Sequence, residues 1–126
     1  MKYVSCFSGI GGLEAEAPPE LFCEIDPEMQ NVLRATNPDV PIWEDITTLE
    51  PPRAEVLAGG WPCQDLSIAG NQAGLSGLRS GLLLDMLRVA TQASVHTVVA
   101  ENVANLLRIN EGREFKHSLD AIHAAG

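Results

Sequence analysis

The sequence of 126 residues is long enough for one domain with a single hydrophobic core and too short for two. It has no apolar run near the ~18 residues of a membrane span and no signal-peptide pattern after Met1, which predicts a cytoplasmic protein without membrane association. The formal charge of -9 opposes tight unaided binding to nucleic acid, because lysine and arginine supply most of the affinity for phosphates.

Short apolar or β-branched runs alternate with helical patterns along the chain. The runs predict strands at residues 3–7, 21–25, 41–43, 56–58 and 97–100. Helices are predicted at 27–36, where Asp26 is the expected N-cap, at 80–93 and at 114–125. The alternation indicates an α/β fold: a partial, doubly wound and mostly parallel sheet that binds ligands beyond the carboxyl ends of its strands.

A glycine-rich turn follows the first predicted strand. Gly9, Gly11 and Gly12 permit a tight turn and the close approach of a ligand to the backbone, although the full dinucleotide-binding pattern is missing. Taken alone, such a turn is equally compatible with a nucleotide site and with an ordinary tight connection.

Acidic residues follow the second and third predicted strands. Glu24 is placed to bind both hydroxyls of a ribose, whereas Asp26 is assigned to the helix cap. Asp45 ends the third strand and is a candidate acceptor for an adenine amino group, with a capping or solvent-exposed role as the alternative. These carboxylates favour a cofactor that contains adenosine.

Two further strand ends carry groups suited to catalysis. The sequence Gly59-Gly60-Trp61-Pro62-Cys63 exposes a thiol after the fourth strand, and Glu101 follows the fifth. In a parallel sheet these ends converge on one crevice, which would bring a nucleophile and an acid to one substrate. The irregular stretch 64–79 is typical of a lid or binding loop.

Together these segments, in this order, resemble the first motifs of the cytosine-5 DNA methyltransferase family. The most specific are Pro62-Cys63-Gln64 and Glu101-Asn102-Val103, and the resemblance extends from Tyr3 to about Leu107. It implies the Rossmann-like fold of methyltransferases that use S-adenosylmethionine, with residues 1–126 forming a single, incomplete catalytic domain.

The resemblance also implies a role for each residue that matches a motif. Cys63 would attack carbon 6 of a cytosine flipped out of double-stranded DNA, and Glu101 would hold or protonate ring nitrogen 3. The substrate loop would include Gln64, Ser67, Arg79 and Asn102. The S-adenosylmethionine site would comprise Phe7, Gly9, Ile10, Gly12, Glu24, Ile25, Asp45, Gly60, Pro62 and Leu82.

The later motifs of the family and its DNA-recognition region do not occur in this sequence. Three explanations are open: a subunit of a split enzyme completed by a second polypeptide, a truncated or decayed gene, and a cofactor-binding pseudo-enzyme that docks a partner. An RNA cytosine-5 methyltransferase is a further alternative. The three cysteines and three histidines show no metal-ligand spacing, so we expect no metal site.

Overall fold

The computed structural model describes residues 1–13, 17–62 and 78–126. At 78–80 it describes the helical backbone and not the side chains. Its sheet has the strand order β3-β2-β1-β4-β5, and every neighbouring pair is parallel. This arrangement confirms the predicted α/β fold with a parallel sheet. The strands are β1 (Tyr3–Cys6), β2 (Leu21–Cys23), β3 (Ile42–Trp43), β4 (Val56–Gly59) and β5 (Thr97–Ala100).

Three α-helices accompany the sheet: α1 (Pro27–Thr36), α2 (Leu78–Ala93) and α3 (Arg113–Ala124). Helix α1 has its predicted bounds, because the Asp26 carboxylate accepts hydrogen bonds from the amides of Glu28 and Met29 and so caps the first turn. Helix α2 begins two residues earlier than predicted, and α3 is shifted by one residue. Short 3₁₀ turns occur at Ile46–Thr48, Ala104–Leu107 and Ile109–Gly112. No described helix is long and apolar enough to cross a membrane.

The hydrophobic core lies between the central strands and α2. Strands β1 and β4 are buried along their full length. The predicted apolar face of α2 is confirmed, since Leu83, Met86, Leu87 and Ala90 are all buried. This packing fixes the helix that follows residues 63–77 against the strands that lead to the site.

Strand β5 is an exposed edge of the sheet. Among the described residues it pairs with β4 alone, and Val99 is 49% exposed. Further exposed apolar side chains follow it at Val103, Leu107, Phe115 and Leu119. An open edge with apolar neighbours is a surface that proteins normally cover.

The strand order places the candidate site. The chain builds β1, β2 and β3 in one direction and then returns to set β4 on the other side of β1. The connection that leaves β1 runs to β2, and the one that leaves β4 runs to β5 on the opposite side. Between two such strands, open α/β sheets form a crevice at their carboxyl edge. The residues that follow Cys6, Cys23, Gly59 and Ala100 therefore share one edge.

Candidate active site

The turn after β1 has a backbone conformation that glycine favours. Gly9 has φ of +56° and Gly11 has φ of +83°, while Phe7, a residue with a side chain, also has a positive φ of 55°. A left-handed residue other than glycine costs about 1–3 kcal/mol, so the surrounding structure must hold Phe7 in place. A Cβ added at Gly9 or Gly12 would meet no atom within 4 Å, which leaves space beside the turn for a ligand.

Glu24 joins the end of β2 to this turn. Its Oε2 accepts a hydrogen bond from the amide of Gly9 at 2.6 Å, and its Oε1 accepts one from the amide of Asp26 at 2.9 Å. The side-chain amide of Gln30 donates to the Glu24 carbonyl oxygen at 2.7 Å. Each carboxylate oxygen has a second acceptor position, so Glu24 can support the turn and still bind hydroxyl groups.

Apolar side chains lie exposed beside these polar groups. Ile10, in the turn, is 62% exposed, and Ile25, directly after Glu24, is 67% exposed. A carboxylate flanked by exposed aliphatic groups and open glycine backbone fits a ribose with an adjoining purine. The residues present therefore fit S-adenosylmethionine in their chemistry.

Asp45 lies two residues after β3, which stops at Trp43 as predicted. The predicted strand was too long by its first residue, and Asp45 caps the 3₁₀ turn Ile46–Thr48. Its Oδ1 accepts from the amide of Thr47 at 2.9 Å and from the Thr47 hydroxyl at 2.7 Å, and these bonds lower the pKa of Asp45. Among the described residues none bonds to Oδ2, so capping leaves one carboxylate oxygen for a ligand.

Glu101 lies against the backbone of Gly60. The Glu101 amide donates to the Gly59 carbonyl at 3.0 Å, which continues the pairing of β4 and β5 beyond the strands. An ideal Cβ on Gly60 would lie 2.6 Å from Glu101 Oε2, so the carboxylate occupies the space that a side chain would need. Glycine at position 60 is thus required for this placement of the acid.

Asn102 fixes the segment that leads to Cys63. Its Nδ2 donates to the carbonyl of Trp61 at 3.2 Å, and its Oδ1 accepts from the amide of Val103 at 2.8 Å. The sequence analysis assigned Asn102 to the substrate loop. In the structure Asn102 bonds to Trp61, which lies two residues before Cys63 in the chain.

Part of the predicted site lies outside the residues that the structure describes. Cys63, Gln64 and Ser67 lie outside the described residues, and so does the side chain of Arg79. Pro62 and Leu82 are half-buried, and Leu82 packs on the core. The structure therefore brings together Gly9 with Glu24, and Gly60 with Glu101, along one sheet edge.

One residue near the site gave no signal in the sequence. Arg88, in α2, donates to the carbonyl oxygens of Ile46 and Leu49, which lie about 40 positions earlier in the chain. Only the folded chain brings these residues together, because nothing in the local pattern of α2 distinguishes Arg88 from a solvated helix residue.

The two other thiols are held in the core, as the sequence predicted. Burial raises the pKa of Cys6 far above its ordinary value, with the neighbouring Cys23 adding to the effect. Burial also raises the pKa of Cys23 to about 12, with smaller contributions from Glu24 and Asp45. Both thiols stay protonated at neutral pH and are poor nucleophiles.

This difference gives a test of Cys63 by alkylation. With iodoacetamide at pH 8, we expect the native chain to incorporate about one label, at Cys63, because Cys6 and Cys23 are buried and protonated. In denaturant all three cysteines of the sequence should react. Mass spectrometry of the labelled chain measures both values, and rapid native labelling of Cys6 or Cys23 would contradict the prediction.

Comparison with known proteins identifies the family. The profile of C-5 cytosine-specific DNA methylases matches residues 1–126. The Type II methyltransferase M2.BsuMI of Bacillus subtilis is 38% identical over all of this chain and 35% of its own length. The Type II methyltransferase M.AquIA of Picosynechococcus is 33% identical over 89% of this chain and 52% of its own length. The chain thus spans about a third to a half of these relatives.

A solved structure agrees on the fold. The Dnmt2 methyltransferase of S. pombe superimposes with a TM-score of 0.65 at 20% identity, over 95% of this chain and 41% of that protein. This similarity shows the Rossmann-like methyltransferase fold, and the family implies S-adenosylmethionine as methyl donor. Since the family profile matches residues 1–126, the chain belongs to the C-5 cytosine-specific DNA methylase family.

Proposed function

We propose that residues 1–126 are the cofactor-binding and nucleophile-bearing part of a DNA (cytosine-5) methyltransferase, an incomplete catalytic domain. The contact of the Glu101 carboxylate with Gly60 carries this proposal. The carboxylate lies beside Gly60, which directly follows β4 and precedes Cys63 by three residues in the chain. The carboxylate of Glu24 and its glycine turn lie along the same sheet edge, where a methyl donor would be bound.

Three of the residues that would hold S-adenosylmethionine are assigned to its ribose and adenine. Glu24 would accept hydrogen bonds from the ribose hydroxyls, Ile25 would pack on the adenine, and Asp45 would accept from its amino group. The bound cofactor supplies a methyl group on a positively charged sulfur. The rest of the site would be formed by Phe7, Gly9, Ile10, Gly12, Gly60, Pro62 and Leu82.

The proposed chemistry uses Cys63 and Glu101 together. The Cys63 thiolate forms a bond to carbon 6 of the flipped cytosine, the carbon 5–carbon 6 double bond opens, and nitrogen 3 takes a proton from Glu101. Carbon 5 thereby gains the electron density needed to bond the methyl group, whose bond to the sulfonium sulfur would break to leave a neutral thioether, and nitrogen 3 returns its proton to Glu101. Loss of the carbon 5 proton to a base then breaks the bond between the Cys63 sulfur and carbon 6, restores the carbon 5–carbon 6 double bond and releases the Cys63 thiolate.

DNA binding would require a complement to this chain. The net charge of -9 disfavours binding to the phosphates of DNA. The open edge at β5 is a surface that further strands can cover. We therefore propose that a DNA-recognition part, on this polypeptide or on a second subunit, completes the sheet and supplies basic surface.

The first experiment is calorimetry of S-adenosylmethionine binding to the chain, followed in the same sample by a methyl-transfer assay on mixed-sequence duplex DNA. We expect binding with little or no transfer, and transfer after addition of the remaining part of a Type II methyltransferase relative. Transfer to RNA in place of DNA would favour the RNA alternative. Binding without any covalent adduct to DNA containing 5-fluorocytosine in the complemented enzyme would favour a pseudo-enzyme.

A second prediction tests the ribose assignment. Replacing Glu24 with alanine is expected to weaken S-adenosylmethionine binding by about 1.5–3 kcal/mol, the range for hydrogen bonds to a charged group. The loss includes the support that Glu24 gives to the Gly9 amide. Glu44→Ala is the control, because Glu44 is an exposed acid near the edge strand with no assigned role. Unchanged affinity in Glu24→Ala, measured by calorimetry, would refute the assignment.

A further inference from the structure

The segment that carries Asp45 has few connections to the rest of the sheet. It leaves β3, a two-residue edge strand that pairs with β2 alone among the described strands. The polar contacts of its side chains are internal: Asp45 bonds to Thr47, and the Trp43 indole N–H donates to the Thr48 hydroxyl at 3.2 Å. These bonds shape the turn, and the buried side chains of Ile46 and Leu49 pack it on the core. None of these contacts is a directional bond between the turn and helix α2.

Arg88 supplies that connection. Its guanidinium donates through Nη2 to the Ile46 carbonyl at 2.5 Å and through Nη1 to the Leu49 carbonyl at 3.1 Å. The two carbonyls lie on either side of the turn Ile46–Thr48. A planar guanidinium that binds two acceptors fixes orientation as well as distance.

The guanidinium is itself held in place. Gln92 Oε1 accepts from Nη1 at 2.7 Å, and Asp85 Oδ1 lies 3.7 Å from Nε, so neighbours on both sides along α2 orient it. Helix α2 is anchored in the core through fully buried side chains such as Met86 and Val89. Through its hydrogen bonds Arg88 thus joins the turn that Asp45 caps to a helix that the core holds in place.

Glu24 is positioned by different contacts. The Glu24 amide donates to the Trp43 carbonyl at 2.9 Å, and its carboxylate bonds to the amides of Gly9 and Asp26. None of these bonds involves Arg88. The ribose end of the proposed cofactor site therefore has supports that do not pass through Arg88, although the Trp43 carbonyl links it to the strand before Asp45.

We infer that Arg88 is a positioning residue for adenine recognition: through the carbonyls of Ile46 and Leu49 it holds the Asp45 carboxylate where it selects a 6-amino purine. The inference rests on the proposed cofactor site. It assigns purine selectivity to a side chain that does not itself touch the cofactor.

The test compares two ligands by calorimetry. S-adenosylhomocysteine carries the amino group that Asp45 would bind, whereas S-inosylhomocysteine carries an oxygen at the same ring carbon. We expect the wild-type chain to prefer the adenine ligand by about tenfold, the value of one good hydrogen bond. Arg88→Met should reduce this preference to near one, and Arg88→Lys, which replaces the two-pronged donor by a point charge, should give an intermediate value.

The control variant changes an arginine far from the Asp45 turn in sequence. Arg113→Met removes a guanidinium that also donates to a backbone carbonyl, that of Asn110, and it should keep the wild-type preference. If Arg88→Met binds both ligands more weakly by the same factor, or keeps the tenfold ratio, the inference is wrong. Should Arg88→Met not fold, an undiminished ratio in Arg88→Lys is the contrary result. A wild-type chain that binds neither ligand refutes the cofactor site itself, and the inference with it.

Discussion

Replacement of Cys63 by serine is expected to abolish methyl transfer in the complemented enzyme while leaving cofactor affinity nearly unchanged. A serine hydroxyl ionises far less readily than a thiol and cannot add to carbon 6 of the ring at neutral pH. Removal of a catalytic nucleophile typically costs at least about a thousandfold in rate. The measurement is incorporation of labelled methyl groups into duplex DNA at saturating S-adenosylmethionine, with calorimetry for the cofactor.

Cys6→Ala is the matched control for this substitution. It removes a buried thiol from the core, so we expect a loss of about 1 kcal/mol in the free energy of unfolding with methyl transfer retained. Substantial transfer by Cys63→Ser, or a large loss of its cofactor affinity, would contradict the nucleophile assignment.

Replacement of Gly60 by alanine is expected to lower methyl transfer by about a hundredfold. The new Cβ would lie 2.6 Å from Glu101 Oε2, a distance that cannot be tolerated, and the carboxylate must move. Displacement of a catalytic group by about 1 Å can cost a hundredfold in rate. The clash is with the end of a side chain, so the fold should lose no more than about 1 kcal/mol. Turnover at saturating cofactor and a denaturation curve measure the two effects.

A double-mutant cycle distinguishes this mechanism from a general disturbance. In the Glu101→Gln background the acid is already lost, so adding Gly60→Ala should have little further effect on the rate. Gly81→Ala is the control, because a Cβ added there meets no atom within 4 Å. Independent, multiplying effects of Gly60→Ala and Glu101→Gln would show that the glycine does not act through the acid.

Local signals in the sequence were sufficient for much of the fold. Asp26 and Pro27 define the start of α1 because a carboxylate cap and a proline in the first turn are both local effects. The face of α2 follows from the spacing of Leu83, Met86 and Leu87, which the core then buries. Parallel pairing followed from the alternation of strands with helices.

The ends of the strands were harder to predict, because β1 and β2 stop one and two residues before their predicted ends and β3 begins one residue late. Asp45 was expected after β3, with capping as the alternative role, and the structure shows it as the cap of a 3₁₀ turn. A two-residue strand contains almost no periodicity, and its existence depends on pairing with β2. The positive φ of Phe7 was also not foreseen, since a side chain rarely adopts that conformation without support from its surroundings.

The sequence by itself determined the family, the order of elements and the residue types at each strand end, because short motifs and hydrophobic periods are local in the chain. Only the tertiary structure decided which groups touch: Glu101 on Gly60, Glu24 on the Gly9 amide, and Arg88 on the turn after β3. These contacts join positions far apart in sequence. They depend on strand order, register and the packing of α2, which no local pattern encodes.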